Sequence, residues 1–538
     1  MKLKFYHKLL LCLASALLFC AGWTQWGLGL LTALAFVPLL LIEYHDVRIG
    51  QKKRVTGIFM WAWLSFLIWN IVSTYWIYHS TLFGAAAAIF FLSLFMACVF
   101  WLAVVVWRKA GMRVGLIAFV SFWLSFEYLF MNSQISWPWL ILGNAFSNNI
   151  RLVQWYEFTG HLGGSLWVLV LNVLVFVIAK TWMFRENRKA LKPAYIAIAL
   201  FLTIPLAYSI IRYYTYTEKT DPVDVVVIQP NIDPYNEKFE TPAVDQISDM
   251  VFLMNTKTDS LVDFVIGPET AMPTGMWEDE MNDETTIQYL RQYLSLYPHI
   301  NIIIGANTRI FYEKGNGKSE TAMPLGSTKH FFDLFNTSLL IDTSPDIQIY
   351  HKSKLVPGVE MMPYPKLLGF LGDFAVDLGG MQGSHGTQPD RSVFVRKSDG
   401  LKTAAAICYE SAYGEFFAGF VKNGAAFMCI ITNDGWWDNT PGHRQHKSFA
   451  SLRAIETRRS IARSANTGIS CFVNQRGDIS HETQWWTKDV IRAKLNLNHS
   501  LTFYTRYGDY LARMSLVLSG LLILITITRL LMRGRKNR

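Results

Sequence analysis

The stretch TAAAICYES ends a run of small apolar residues on one cysteine, Cys408, with Tyr409 and Glu410 directly behind it. Two other ionisable residues close apolar runs in the same way: Glu269 after LVDFVIGP and Lys352 after DIQIYH. These three residue types suffice for acyl chemistry. A thiolate attacks a carbonyl, a carboxylate takes the thiol proton, and an ammonium lowers the thiol pKa and holds the oxyanion. Each residue also has a plain structural reading. A lone cysteine in an apolar strand is usually inert core, Glu269 caps a helix after Pro268, and Lys352 lies on the surface beside Lys354. Cys429 and Cys471 keep the inert reading. No histidine stands out as a base, because His446 starts a helical segment and the sequence places no carboxylate to orient it. The six cysteines form no C-x-x-C pair, which argues against a disulfide scaffold and against a zinc site. No metal ligand set is expected.

The elements that must position these residues fall into two classes. The chain is 51% hydrophobic and 17% charged, and the apolar excess is uneven. Residues 1–212 carry long apolar runs, residues 213–512 have ordinary globular composition, and residues 513–538 hold one more run and a basic tail. Stretches of about 20 apolar residues predict membrane-spanning helices at Leu9–Ala21, Trp26–Ile42, Gly57–Tyr78, Gly84–Trp107, Val114–Phe130, Gly164–Trp182, Ala194–Ile211 and Met514–Met532. Lys2, Lys4 and Lys8 before Leu9 suit a cleavable signal, but similar spans follow and no small-x-small site stands out, so this stretch is read as the first span. Arg48, Lys52, Lys53 and Arg54 follow the second span. Both ends of Leu9–Ile42 therefore belong inside, and the stretch is a hairpin turning near Gly22–Gly27. The remaining Lys and Arg clusters, at 108–113, 180–192 and 533–538, alternate consistently. The expectation is eight helices with both termini cytoplasmic and residues 213–512 on the outer side. The net charge of +10 then reflects topology, and no nucleic-acid partner is needed. Glu127, inside the fifth span, is either functional or reaches headgroups from the outer end.

From Asp221 the pattern changes to short β-rich runs, among them DVVVIQPNI, INIIIGANT, NTSLLIDTS and AFMCIITNDG. Helical segments at Ala243–Asn255, Thr285–Leu296 and Arg444–Arg459 fall between them. Apolar strands alternating with helices predict an α/β domain with helix-covered sheets. Glu269, Lys352 and Cys408 each end a strand, where the sites of such sheets gather.

GPETAMP around Glu269, YHKSKLVP around Lys352 and ICYES around Cys408 resemble the Glu-Lys-Cys signature of the nitrilase superfamily. With the eight spans, the chain resembles the apolipoprotein N-acyltransferase family of bacterial inner-membrane enzymes end to end. SWPWLILGN, IQPNI, LVPGVEMMPY, ITNDGWW and RSANTGIS stand as further stations of that family. The chain departs from it in LVPGVE, where LVPFGE is usual, and in Pro230, where glycine is usual. Tyr235 or Phe239 takes the place of an offset aromatic.

The resemblance implies an αββα sandwich inserted before the last helix. It also implies two-step transfer of an acyl chain from a phospholipid, through a Cys408 thioester, to the α-amine of a diacylglyceryl-cysteine on an apolipoprotein. Glu269 serves as base, and Lys352 with backbone N–H groups near Tyr409 holds the oxyanion. No cofactor is required. Glu360 and Glu410 are expected in supporting roles. The apolar segment Met361–Phe374 is read as a lipid-dipping lid in which Leu367, Leu368, Phe370 and Leu371 touch acyl chains, or else as a buried helix. The rivals are a membrane-tethered amidase, which one anchoring helix would serve, and a transporter, for which no clear repeat or broken-helix pair is present.

Overall fold

The computed structural model describes residues 3–23, 27–50, 56–368 and 384–536. It divides into two compact units. One comprises Met1–Tyr78, Phe83–Thr215 and Tyr507–Arg538, and the other His79–Leu82 and Tyr216–Arg506.

Among the described residues, the first unit holds eight helical stretches long and apolar enough to cross a membrane, from Phe5–Gly22 to Tyr510–Arg529. The chain is a multi-pass membrane protein. The second stretch, Gly29–Arg48, differs from one continuous helix. It starts as a 3-10 turn, and Pro38 opens its main helix, Val37–Arg48, because proline tolerates only the first turn. A buried charge of this unit is paired where Arg108 clamps Glu43 through both carboxylate oxygens, at 2.7 and 2.6 Å. Glu127 is buried and accepts from Trp123 Nε1 at 3.1 Å and from the Leu142 backbone N–H at 2.9 Å. It ties down the short 3-10 turns at 138–146 instead of reaching headgroups.

The second unit is an αββα sandwich. Its strands are β1 Pro222–Gln229, β2 Phe264–Ile266, β3 Met272–Trp277, β4 Asn301–Tyr312, β5 Met323–Pro324, β6 Phe331–Ile341, β7 Gln348–His351, β8 Phe394–Val395, β9 Lys402–Ile407, β10 Phe427–Thr432, β11 Ile461–Ala465, β12 Cys471–Val473, β13 Ile479–Ser480 and β14 Asp489–Asn496. One sheet runs β14-β1-β2-β4-β6-β5, with β3 also on β4 and β7 also on β6. The other runs β13-β12-β11-β10-β9-β8.

The inner strands read as unbroken apolar runs because both faces are covered. On β1, Val226 and Ile228 pack with Ile247, Met250 and Met254 of the helix Ala243–Asn255 and with Ile287, Leu290 and Leu294 of the helix Thr285–Leu296. The opposite faces meet between the sheets, where Phe264 and Phe427 stack edge to face at 5.2 Å. A buried side chain of this size contributes about 1.5–3 kcal/mol, so the layers are fixed and so are the ends of their strands.

Candidate active site

Four loops meet at strand C-terminal ends, three of them after the parallel-paired strands β2, β9 and β10 and one after β7, which runs antiparallel to β6. Glu269 follows β2, Lys352 follows β7, Cys408 follows β9 and Asn433 follows β10. Cys408 starts a 3-10 turn, Cys408–Ala412, with a φ of 49°. That left-handed value is uncommon for a residue with a Cβ and marks a tightly held backbone.

Glu269 and Lys352 are both buried, with side-chain exposures of 7% and 1%. Lys352 Nζ donates to Glu269 Oε1 at 2.9 Å and to Glu360 Oε1 at 2.7 Å. Asn336 Nδ2, from β6, donates to the same two oxygens, at 2.8 and 3.1 Å. The Asn433 N–H donates to Glu269 Oε2 at 3.0 Å, across the two sheets. Room for the Glu269 loop comes from Gly305 on β4. A Cβ there would lie 2.5 Å from Thr270 N and 2.7 Å from Glu269 Cα.

Burial works against the charge of Lys352, but Glu269 and Glu360 outweigh it and hold the ammonium well above its usual pKa. Glu360 is correspondingly held low, burial being overcome by Lys352 and His385. Burial, and then the charge of Glu269, push the Cys408 thiol well up, while Lys352 pulls it down. The resting site therefore holds a thiol beside an available carboxylate, the state from which general-base attack starts.

The residues expected at the site thus divide. Glu269, Lys352 and Glu360 form one hydrogen-bonded cluster next to Cys408, and Lys352 is not a surface residue. Glu410 is set apart. Its carboxylate accepts from the N–H groups of Ile407 at 2.8 Å and Ser353 at 2.6 Å, and from Tyr350 Oη at 2.6 Å. It ties the backbone after Lys352 to the backbone before Cys408. Burial pushes its pKa up to about 7. Tyr409 is buried in the nucleophile turn with its ring 5.3 Å from that of Tyr413. Of the expected lid, the short helix Pro365–Leu368 is seen as backbone. The side chains of Leu367 and Leu368, and all of Phe370 and Leu371, lie outside the described residues.

The structure adds residues that the sequence reading passed over. Lys238, buried, donates to Thr270 Oγ1 and to the Glu269 carbonyl at 3.4 Å. Burial lowers its pKa to about 8. Its place after IQPNI, opposite GPET, was the only available signal. His446, dismissed for lack of a carboxylate, has one. Its Nδ1 lies 2.9 Å from Asp434 Oδ1, and Arg463 donates to Asp434 Oδ2 at 2.6 Å. Cys408 Sγ, an Asp434 oxygen and a His446 nitrogen lie within 4.8 Å of one another. That spacing suits a metal ion, but the Arg463 guanidinium already occupies the electrostatic place a cation would take.

Residues 225–500 match the carbon-nitrogen hydrolase family, and the chain belongs to it: a cysteine at the end of a sandwich strand, faced by a glutamate and a lysine, is set in the fold of that class. Residues 15–174 match the N-terminal domain of apolipoprotein N-acyltransferase. Within the larger class the chain is therefore an acyltransferase of the apolipoprotein N-acyltransferase kind. The apolipoprotein N-acyltransferase of Chlorobaculum tepidum is 28% identical, over 94% of this chain and 93% of its own. That of Geobacter metallireducens is 25% identical, over 94% and 92%. Among solved structures, an amidase of the nitrilase superfamily from Nesterenkonia AN1 is similar at 12% identity and a TM-score of 0.36, over 55% of this chain and 99% of its own.

Proposed function

We infer that this protein moves an acyl chain from a phospholipid to the N-terminal amine of a diacylglyceryl-cysteine on an apolipoprotein, through a thioester on Cys408. Glu269 takes the Cys408 proton as Sγ attacks the ester carbonyl. Lys352, with N–H groups of the turn at Tyr409, holds the oxyanion. As the carbon–oxygen bond breaks, Glu269 returns the proton to the leaving lysophospholipid. The acceptor amine then attacks the thioester, Glu269 takes the amine proton, and the thiol is restored. Glu360 and Asn336 keep Lys352 and Glu269 aligned, and Glu410 keeps the lysine and cysteine backbones in register. The lid residues Leu367, Leu368, Phe370 and Leu371 belong to this reading as acyl-chain contacts.

The reading includes an arrangement in the bacterial inner membrane. Residues 1–212 form seven spans, residues 213–512 the periplasmic catalytic domain, and residues 513–538 the last span with a cytoplasmic tail.

The observation that carries the reading is the buried Glu269–Lys352–Glu360 cluster beside Cys408, in a chain whose described residues include eight helical stretches long and apolar enough to cross a membrane. The test is the mass of the Cys408 peptide after incubation with phospholipid. A thioester adduct is expected in the wild-type protein and none in Cys408→Ala. If the protein instead cleaved soluble amides with no lipid adduct, the amidase reading would replace this one.

A further inference from the structure

We propose that His446 is a positioning residue for Cys408, fixing the nucleophile's backbone through its carbonyl oxygen. The proposal deepens the reading above, since it concerns the same cysteine.

The ring stands on the helix Pro441–Thr457 and is buried. Its Nε2 lies 3.1 Å from the Cys408 carbonyl oxygen and 2.9 Å from Ser411 Oγ. Ser411 Oγ itself donates to that carbonyl at 2.7 Å. The left-handed Cys408 is thus held by two donors on its own oxygen. A residue in a sparsely populated conformation persists only when its surroundings over-determine it.

The ring is itself fixed from its far edge. Nδ1 lies 2.9 Å from Asp434 Oδ1, and Asp434 in turn accepts from Thr432 Oγ1 at 2.8 Å and from Arg463 at 2.6 Å. Trp437 meets the ring edge-on at 5.5 Å.

The test uses full-length protein in detergent and two variants. His446→Gln keeps a donor, and His446→Phe keeps only shape. The readouts are thioester formation with phospholipid and the rate of iodoacetamide alkylation of Cys408, both followed by peptide mass; the second needs no lipid substrate. His446→Gln, which can still donate to the Cys408 carbonyl, should stay within about tenfold of the wild type in both, the scale of one neutral hydrogen bond. His446→Phe should slow alkylation and lose thioester formation about 100-fold or more at every pH, since the nucleophile is then misplaced. If folded His446→Phe kept the wild-type rates, or if His446→Gln lost as much as His446→Phe, the proposal would be overturned. If the wild-type protein formed no thioester while His446→Phe slowed alkylation and His446→Gln did not, the function would be wrong and the role of His446 would stand.

Discussion

Replacing Lys352 by methionine removes a cation bonded to both Glu269 and Glu360 and leaves two buried carboxyls facing each other. Breaking a buried ion pair typically costs about 3–5 kcal/mol. An alternative sets an upper limit: one carboxyl takes up a proton instead. Its unfolded pKa is about 4.3, so at pH 7 this costs about 4 kcal/mol, and at pH 5 about 1 kcal/mol. In the variant a carboxyl pKa lies above its unfolded value, so stability is kept at low pH and lost as pH rises through the folded pKa. The wild-type Glu360 is held low, so its contribution persists until the pH falls below that range. For a unit of more than 200 residues, about 2–4 °C of Tm per kcal/mol gives a deficit of roughly 10 °C at pH 7 and roughly 3 °C at pH 5. The assay is thermal unfolding of both proteins in one detergent across that range. Thioester formation should fall about 100–1,000-fold, the usual loss for one oxyanion donor, and high pH should not restore it. A Tm deficit that stays constant with pH would refute the picture of two carboxylates sharing one lysine.

Glu269→Gln should nearly stop thioester formation at neutral pH, with partial recovery only well above pH 8.5, where a free thiol ionises, because burial pushes the Cys408 thiol higher still. Recovery at pH 8 or below would count against a buried thiol awaiting its base. Gly305→Ala should impair catalysis more than stability, since the added methyl meets the Thr270 and Glu269 backbone and must displace the base. An unchanged thioester rate would show that the loop has slack. Alkaline phosphatase fused after Tyr216 should be active and after Arg113 inactive, and the reverse pattern would invert the proposed topology.

Much of this was legible in the sequence because burial on both faces writes long apolar runs. The helices Ala243–Asn255 and Thr285–Leu296 occupy the ranges their periodicity indicates, and β9 delivers Cys408 where its small residues stop. What stayed hidden depends on contacts that cross loops. β11 carries Arg463 and Ser464, buried polar residues whose partners come from a 3-10 turn and from β1, so it does not read as an apolar strand. His446 and Asp434 lie on separate elements joined by a loop whose path no local pattern gives. The role of Glu410 was equally hidden, because its carboxylate serves backbone N–H groups rather than the side chains of its motif neighbours.

The bonds of Glu269 have a consequence for the order of assembly. Its partners lie 67, 83 and 164 residues further along the chain. Glu269 and Cys408 can therefore both have been synthesised while the base still lacks its last donor, Asn433. Contacts so distant in sequence form late, after the loop-closure entropy has been spent. A nascent chain stalled short of that residue carries its cysteine without the complete seat for its base. Acyl-transfer competence is thus withheld until strands from both sheets have met, which makes the finished sandwich, rather than the appearance of the thiol, the event that switches the enzyme on.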